Sequence, residues 1–345
     1  MTQKKKKIIL FVLGLLLCIF AFIGYQFYKY FYKSNIKIAE TDYLYIPTGS
    51  NVDDVFNILE KKNIINDINT LKSAASFLKY TKVKPGRYKI SKGMTNKSLI
   101  NMLRLGNQSA VRITFSGNIR SNEKIASIAS RYLESDSVSV LQALNDNDFL
   151  GKFGFDSRTV LGMFIPNTYE LYWNTDADGL IERMYREYEN FWNDSRKIKL
   201  QQTGLTQAEV SVMAAIVAEE TNVTDEMAAI AGVYMNRIKS GMLLQADPTV
   251  KFAIGDFSIR RVLNKHLDYD SPYNTYKYKG LPPSPICMPS IAAIDAVLDY
   301  EHHDYYYFCA KSDFSGRHTF AKTLAQHNSN AQAYQKTLDK LKIKN

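Results

Sequence analysis

Thr206-Gln-Ala-Glu-Val-Ser-Val-Met-Ala-Ala-Ile-Val-Ala-Glu-Glu-Thr221 is the most informative stretch of the chain. Thr206 and Glu209 have the spacing of a capping box, in which the hydroxyl and the carboxylate each satisfy a free backbone N–H, so a helix starts here. Val210, Met213, Ala214 and Val217 then recur at i, i+3, i+4 and i+7, one apolar stripe. At about 100° per residue, Glu220 lies roughly 80° from Val210, between Met213 and Ile216, while Glu219 points almost opposite to Val210. The pattern predicts a solvated Glu219 and a Glu220 at the margin of the core. Partial burial and the negative end of the helix both raise a carboxyl pKa. The competing reading is that Glu220 pairs with a nearby Arg or Lys.

A second helix is predicted from about Asp225 to Ser240, stopped by Gly241. It carries Asn236-Arg237 behind the apolar positions Ile230, Val233 and Tyr234. Leu244-Gln-Ala-Asp-Pro-Thr-Val250, Tyr273-Asn-Thr-Tyr276 and Gly280-Leu-Pro-Pro-Ser-Pro-Ile286 follow, and the chain closes through Gly316-Arg-His-Thr-Phe320 and His327-Asn328. Upstream, Leu161-Gly-Met-Phe-Ile-Pro-Asn-Thr-Tyr169 reads as a strand-like run broken by Pro166. An amphipathic helix through Leu180, Met184, Tyr185 and Tyr188 comes next.

Toward the N-terminus the grammar changes. Lys4, Lys5, Lys6 and Lys7 precede an uncharged run from Ile8 to Tyr25, and Phe27, Tyr28, Tyr30, Phe31 and Tyr32 follow it. Eighteen helical residues reach about 27 Å, close to the hydrocarbon thickness of a bilayer, and the aromatics form an interfacial belt. The run is too long for a signal-peptide core and lacks a small-residue exit. Leu17 stands where a lipoprotein signal needs a small residue before Cys18. One uncleaved span over 8–28 is expected, with residues 1–7 in the cytoplasm and the rest outside.

Residues 34–105 read as a small α/β unit: a strand at Tyr43–Tyr45, a helix from Asn51, a strand Gly86-Arg-Tyr-Lys-Ile90, and a helix after Thr95 carrying Leu99, Ile100 and Leu103. That order resembles a LysM-like module, which implies binding of N-acetylglucosamine-containing glycans; a generic βααβ domain has the same pattern. Residues 106–157 are a connecting α/β region that opens on a strand, Val111–Phe115. Asp146-x-Asp148 lacks the glycine and closing glutamate of a calcium loop.

Composition narrows the class. The 345 residues are 46% hydrophobic and 23% charged, enough for two or three folded domains. The net charge of +10 favours an anionic neighbour. No basic run is interleaved with a nucleic-acid motif and no zinc-type Cys/His spacing occurs, so a bilayer or cell wall fits better than nucleic acid. The cysteines are Cys18, Cys287 and Cys309. That is no disulfide framework; Cys287 and Cys309 either form one bridge or stand as separate buried thiols.

Taken together, Ala215–Thr221, Asn236-Arg237, Leu244–Val250, Tyr273–Tyr276 and Gly280-Leu-Pro-Pro, with His318, Phe320 and His327, resemble the endolytic murein transglycosylases, the YceG-like proteins. The likeness is strong from about Val160 to Tyr334 and weaker over 43–105. It implies an α+β protein: a single N-terminal transmembrane helix, a LysM-like module and a mixed α+β catalytic domain over 158–340. It also implies Glu220 as catalytic acid/base, without metal or cofactor, on nascent peptidoglycan beside the cytoplasmic membrane. Penicillin-binding proteins and glycan polymerases are the implied partners. Relatives often carry a second glutamate where this chain has Ala218. Leu161 and Asn167 replace carboxylates common in the family.

For the substrate, Gln245, Asn236 and Asn274 offer amides suited to sugar hydroxyls and acetamido groups, against a loop-stabilising role. Tyr273 and Tyr276 suit stacking on sugar rings or packing. Asp247 either meets substrate or caps a turn, and His318 orients a group near the site or is structural. No strong candidate for a second catalytic carboxylate is legible near Glu220. That favours attack by the substrate's own C6 hydroxyl; a muramidase using water, or a non-catalytic glycan-binding scaffold, are the alternatives.

Overall fold

The computed structural model describes residues 2–340 and is a mixed α+β protein with one long apolar helix. That helix, α1 (Gln3–Phe31), overruns the expected span on both sides, because lysines and aromatics continue a helix as readily as the apolar run does. Its side chains are exposed along the apolar stretch, with a mean hydropathy of 2.9 over the most apolar window. Such a helix is long and apolar enough to cross a membrane.

The chain divides into two compact units. The first comprises residues up to 112 with 132–134 and 170–175. Here β1 (Asp42–Ile46) and β2 (Gly86–Ile90) pair antiparallel, Leu44 opposite Tyr88 and Ile46 opposite Gly86. Between them run α2 (Val52–Lys61) and α3 (Ile68–Phe77), and α4 (Asn96–Leu105) follows β2. Asn51 and Thr95 cap α2 and α4 with capping boxes. The sequence reading lacks α3, which begins on an Asp67 cap and turns only a short apolar face, Leu71, Ala74 and Ala75, to the core. Alternate residues of the strands, Leu44, Ile46, Tyr88 and Ile90, bury against Val55, Leu59, Leu71 and Leu99.

The second unit holds residues 113–131, 135–169 and the chain from 176 onward. Strand β3 (Val111–Phe115) pairs with β4 (Asn167–Leu171). Helices α5 (Asn122–Ala129), α6 (Ser137–Asn145) and α7 (Asn147–Gly151) lie between these strands, with a 3-10 turn at Val160–Met163 where a strand is expected. Then come α8 (Ala177–Phe191), α9 (Asp194–Thr203), α10 (Gln207–Glu220), α11 (Met227–Lys239), α12 (Asp247–Ile254), α13 (Asn264–Leu267) and α14 (Ile291–Leu298). A hairpin of β5 (Tyr307–Ala310) and β6 (His318–Ala321) and a last helix, α15 (Leu324–Lys340), complete it.

The capping box of α10 is present as read, but its single apolar stripe is not. Every residue from Val210 to Val217 is buried, since α11, α12 and α14 pack round it. A helix apolar on all sides belongs in a core, and α10 is the central rod of this unit. Cys287 and Cys309 are free thiols; Cys287 is fully buried and points its Sγ at the Ala215 carbonyl.

Candidate active site

Because α10 is buried almost to its end, its last residue emerges where the core stops. Glu220 closes the helix, and Thr221 caps it in an extended conformation. The Glu220 carboxylate is partly buried on the wall of a cavity of about 340 Å³, which Tyr234, Gln245, Asp247, Tyr276, His318 and His327 also line. Tyr234, one face of α11 and itself buried, donates its hydroxyl to Glu220 Oε1 at 2.7 Å. No Lys or Arg forms an ion pair with Glu220 among the described residues. Burial pushes the Glu220 carboxyl up to about 7; the Tyr234 hydrogen bond opposes this, the Asp247 carboxylate adds to it, and Lys251 and Arg237 oppose it more weakly. The group is therefore a carboxylic acid through the acidic range and titrates near neutrality.

Glu219 departs from expectation. It is not solvated but receives both contacts of Arg120 Nη2, at 2.6 and 2.7 Å, with its side chain only 16% exposed. Adjacent glutamates thus have different electrostatics: one is neutralised by a guanidinium, the other left unpaired in the cavity.

Asp247 overturns the expectation that no second carboxylate lies near Glu220. It opens α12, lines the same cavity, and accepts the Tyr276 hydroxyl at 2.6 Å rather than capping a turn. Gln245 holds a left-handed backbone, φ +52°, and donates its N–H to the Thr275 carbonyl, which turns its side chain to the cavity. Buried Thr249 and Thr275 fasten the same segment through Ala246. His318, the first residue of β6, lines the cavity with its Nδ1 3.2 Å from Glu226 Oε2.

Three predicted substrate residues are not brought into the cavity. Asn236 donates to the carbonyls of His303 at 2.7 Å and Tyr305 at 3.0 Å, pinning the segment that leads into β5. Asn274, fully buried, donates to Leu267 and Tyr269 and accepts the Tyr276 N–H, so it shapes its own loop. Tyr273 hydrogen-bonds Ser284 and packs on Phe252 at 4.9 Å. Asn amides spent on backbone carbonyls have none of their donors left for a sugar. Leu161 is buried and Asn167 turns to its neighbour's N–H; neither lines the cavity.

Other groups that build the site carry little signal in the sequence. Arg237, buried, donates to Tyr306 O at 2.7 Å and to Leu244 O at 2.6 Å, clamping two walls of the cavity together. His327 stacks on Tyr307, and its Nδ1 is buried without a partner among the described residues; burial, then the Arg237 charge, lowers its pKa. Arg237 carried a signal, its place beside Asn236 in a quoted motif; Tyr234 carried none beyond helical spacing. Among the described residues no group of three or more His, Cys, Asp or Glu side chains gathers as a metal site would.

A carboxyl that titrates near neutrality on the wall of a polar cavity can deliver and recover one proton. The YceG-like family pattern matches residues 44–333, and the chain belongs to that family. Its similar relatives are named endolytic murein transglycosylases. One, from Bacillus subtilis (strain 168), is 31% identical, covering 84% of this chain and 83% of its own length. Another, from Streptococcus pneumoniae serotype 2, is 26% identical, and the match spans 89% of this chain but 61% of that longer relative. The crystal structure of a YceG-like protein from Listeria monocytogenes aligns over 84% of this chain and 99% of its own, at 29% identity and a TM-score of 0.54.

Proposed function

We propose that the protein is a membrane-anchored lytic transglycosylase that cuts the β-1,4 bond between N-acetylmuramic acid and N-acetylglucosamine inside nascent peptidoglycan strands. One observation carries the reading: Glu220 is an unpaired carboxyl held near pH 7 by burial, hydrogen-bonded to Tyr234 at the wall of a polar cavity. Protonated, Glu220 gives its proton to the leaving glycosidic oxygen as positive charge develops at the muramic-acid anomeric carbon. The substrate's N-acetyl group supports that centre. The carboxylate so formed takes the proton of the C6 hydroxyl, which closes on the anomeric carbon and leaves a 1,6-anhydromuramic end. Glu220 is again protonated and ready. Gln245, Asp247, Tyr276 and His318 hold the sugars.

The first unit, with two helices between antiparallel β1 and β2, supports a LysM-like glycan-binding role for residues 34–105. The apolar helix supports an anchor in the cytoplasmic membrane, N-terminus inside, with residues 158–340 as the catalytic domain outside. That location suits termination of glycan elongation beside penicillin-binding proteins and glycan polymerases.

Asp247 gives the muramidase reading a specific footing. A second carboxylate in the same cavity is what a hydrolase uses to activate water or stabilise the anomeric centre. The full chain in detergent, wild type and Glu220→Gln, separates the two. Digested murein analysed by mass spectrometry is expected to carry anhydromuramic ends from the wild type alone. Reducing ends from the wild type alone would make it a hydrolase. Equal cutting by both proteins would remove Glu220 from the reaction.

A further inference from the structure

His318 and Glu226 are far apart in sequence, yet the structure makes them one unit. Glu226 sits in the short turn before α11 with its side chain 9% exposed. Both its oxygens meet His318: Oε1 accepts the His318 backbone N–H at 3.0 Å, with Arg317 Nη1 4.0 Å away, and Oε2 faces the ring Nδ1 at 3.2 Å. Beside it, Asp225 holds Arg317 at 2.7 Å, so the start of β6 is fastened twice. The Phe308 ring meets the imidazole edge-on at 5.3 Å and Tyr234 at 5.9 Å, which fixes the ring plane next to the residue that holds Glu220.

We propose that Glu226 is a positioning residue that sets the tautomer of His318, so that its Nε2 presents a lone pair to the Glu220 cavity and accepts a hydrogen bond from a hydroxyl or acetamido N–H of the glycan. This rests on the glycan-cutting reading above. An ionised carboxylate only accepts, so Nδ1 must carry the proton, and in the neutral ring Nε2 is then the acceptor. Nε2 has no protein partner among the described residues, and His318 lines the cavity. A purely structural carboxylate would need only the backbone N–H; the second bond specifies which nitrogen faces the substrate. Asp247 and Glu220 line the same cavity, but their side-chain hydrogen bonds go to Tyr276 and Tyr234, and Glu226 is the carboxylate that meets the ring among the described residues.

Glu226→Gln is the incisive variant. The remaining oxygen keeps the backbone N–H, while the new amide NH₂ faces Nδ1 and forces the proton onto Nε2, as an amide in place of a triad aspartate inverts its histidine. The full chain, labelled with ¹⁵N-histidine in detergent, is expected to show pyridine-like Nε2 for His318 in the wild type and pyrrole-like Nε2 in the variant. Murein turnover should fall roughly ten- to hundredfold, the value of one hydrogen bond in a site, at an unchanged melting temperature. Adding His318→Ala should then cost nothing more. Wild-type turnover with an inverted tautomer overturns the proposal, and so do losses that multiply in the double variant. Should Glu226→Gln not fold, His318→Ala alone must show the same fall, and full activity there overturns it. If the wild type cuts no murein, the enzyme reading fails instead. Nε2 is then read while an N-acetylglucosamine oligomer is titrated in, and an unmoved Nε2 overturns the hydrogen bond.

Discussion

Removing one hydroxyl should move the working pH of this enzyme upward. Tyr234 donates to Glu220 at 2.7 Å, and that bond favours the ionised carboxylate over the acid. A hydrogen bond to a charged acceptor is worth about 1.5–3 kcal/mol and one to a neutral acceptor about 0.5–1.5, so the difference is about 1.2 kcal/mol, or roughly one pH unit. In Tyr234→Phe the charged form loses its donor and burial acts unopposed. With the proposed reaction beginning from protonated Glu220, kcat/KM in the wild type should fall as pH rises through about 7. In Tyr234→Phe the alkaline limb should fall roughly one unit later. At pH 8 the wild type would keep about a tenth of its acid form and the variant about half. The assay is initial release of soluble muropeptides from labelled murein between pH 5 and 9, each protein scaled to its own plateau. Asp247→Asn supplies the opposite perturbation: losing a neighbouring negative charge stabilises the carboxylate and should draw the limb to lower pH. A Tyr234→Phe limb that stays put or moves down, or two variants that move together, would refute the electrostatic account of Glu220.

The same titration predicts a stability effect. The folded pKa of Glu220 is raised from 4.5 to about 7, so its contribution is fully present below pH 4.5 and lost as pH rises through 7. Above pH 7 the buried charge then costs up to about 3 kcal/mol. Glu220→Gln should melt several degrees above the wild type at pH 8.5 and level with it at pH 4, by differential scanning calorimetry. Gly232→Ala should destabilise by about 1–3 kcal/mol, because an added Cβ would lie 2.3 Å from the Glu301 carbonyl and 2.8 Å from His303 Nε2; denaturant unfolding measures it, and activity should fall with it as the segment pinned by Asn236 shifts. Asn274→Ala removes the side-chain donor from the Leu267 and Tyr269 carbonyls and should cost about 1–3 kcal/mol. Glycan affinity per folded molecule should survive in Asn274→Ala if the residue only shapes its loop; a specific loss of binding at full stability would return Asn274 to the substrate.

Local grammar was legible. The capping box at Thr206 and Glu209, the strand Gly86–Ile90 and the stop at Gly241 each depend on residues within a few positions, and the structure has all three. The α+β class and the apolar helix were equally plain. What the sequence hid was decided by residues far along the chain. The helix of Glu220 looks amphipathic by itself; its burial on every side depends on α14, more than seventy residues later. Glu219 looks free until Arg120, from the loop after β3, reaches it. Asp247 stays open between a sugar contact and a turn cap in the sequence, because nothing local reveals that α12 begins at the wall of the Glu220 cavity.

The asparagines make the physical reason clearest. Asn236 and Asn274 stand in the quoted motifs beside the site, and an amide there reads naturally as a sugar ligand. But the stretches around 267–269 and 303–305 belong to no strand ladder, and part-buried carbonyls there take side-chain donors. An Asn side chain offers two donors on one short stem, enough to bind two carbonyls at once, which both residues do. Arg237 does the same on a larger scale across Leu244 and Tyr306. The motif residues therefore divide by what their polar atoms have left over. Asn236, Asn274 and Arg237 spend theirs on the walls. Glu220, Gln245 and the Nε2 of His318 keep theirs for the cavity, where the proposed function places the sugar.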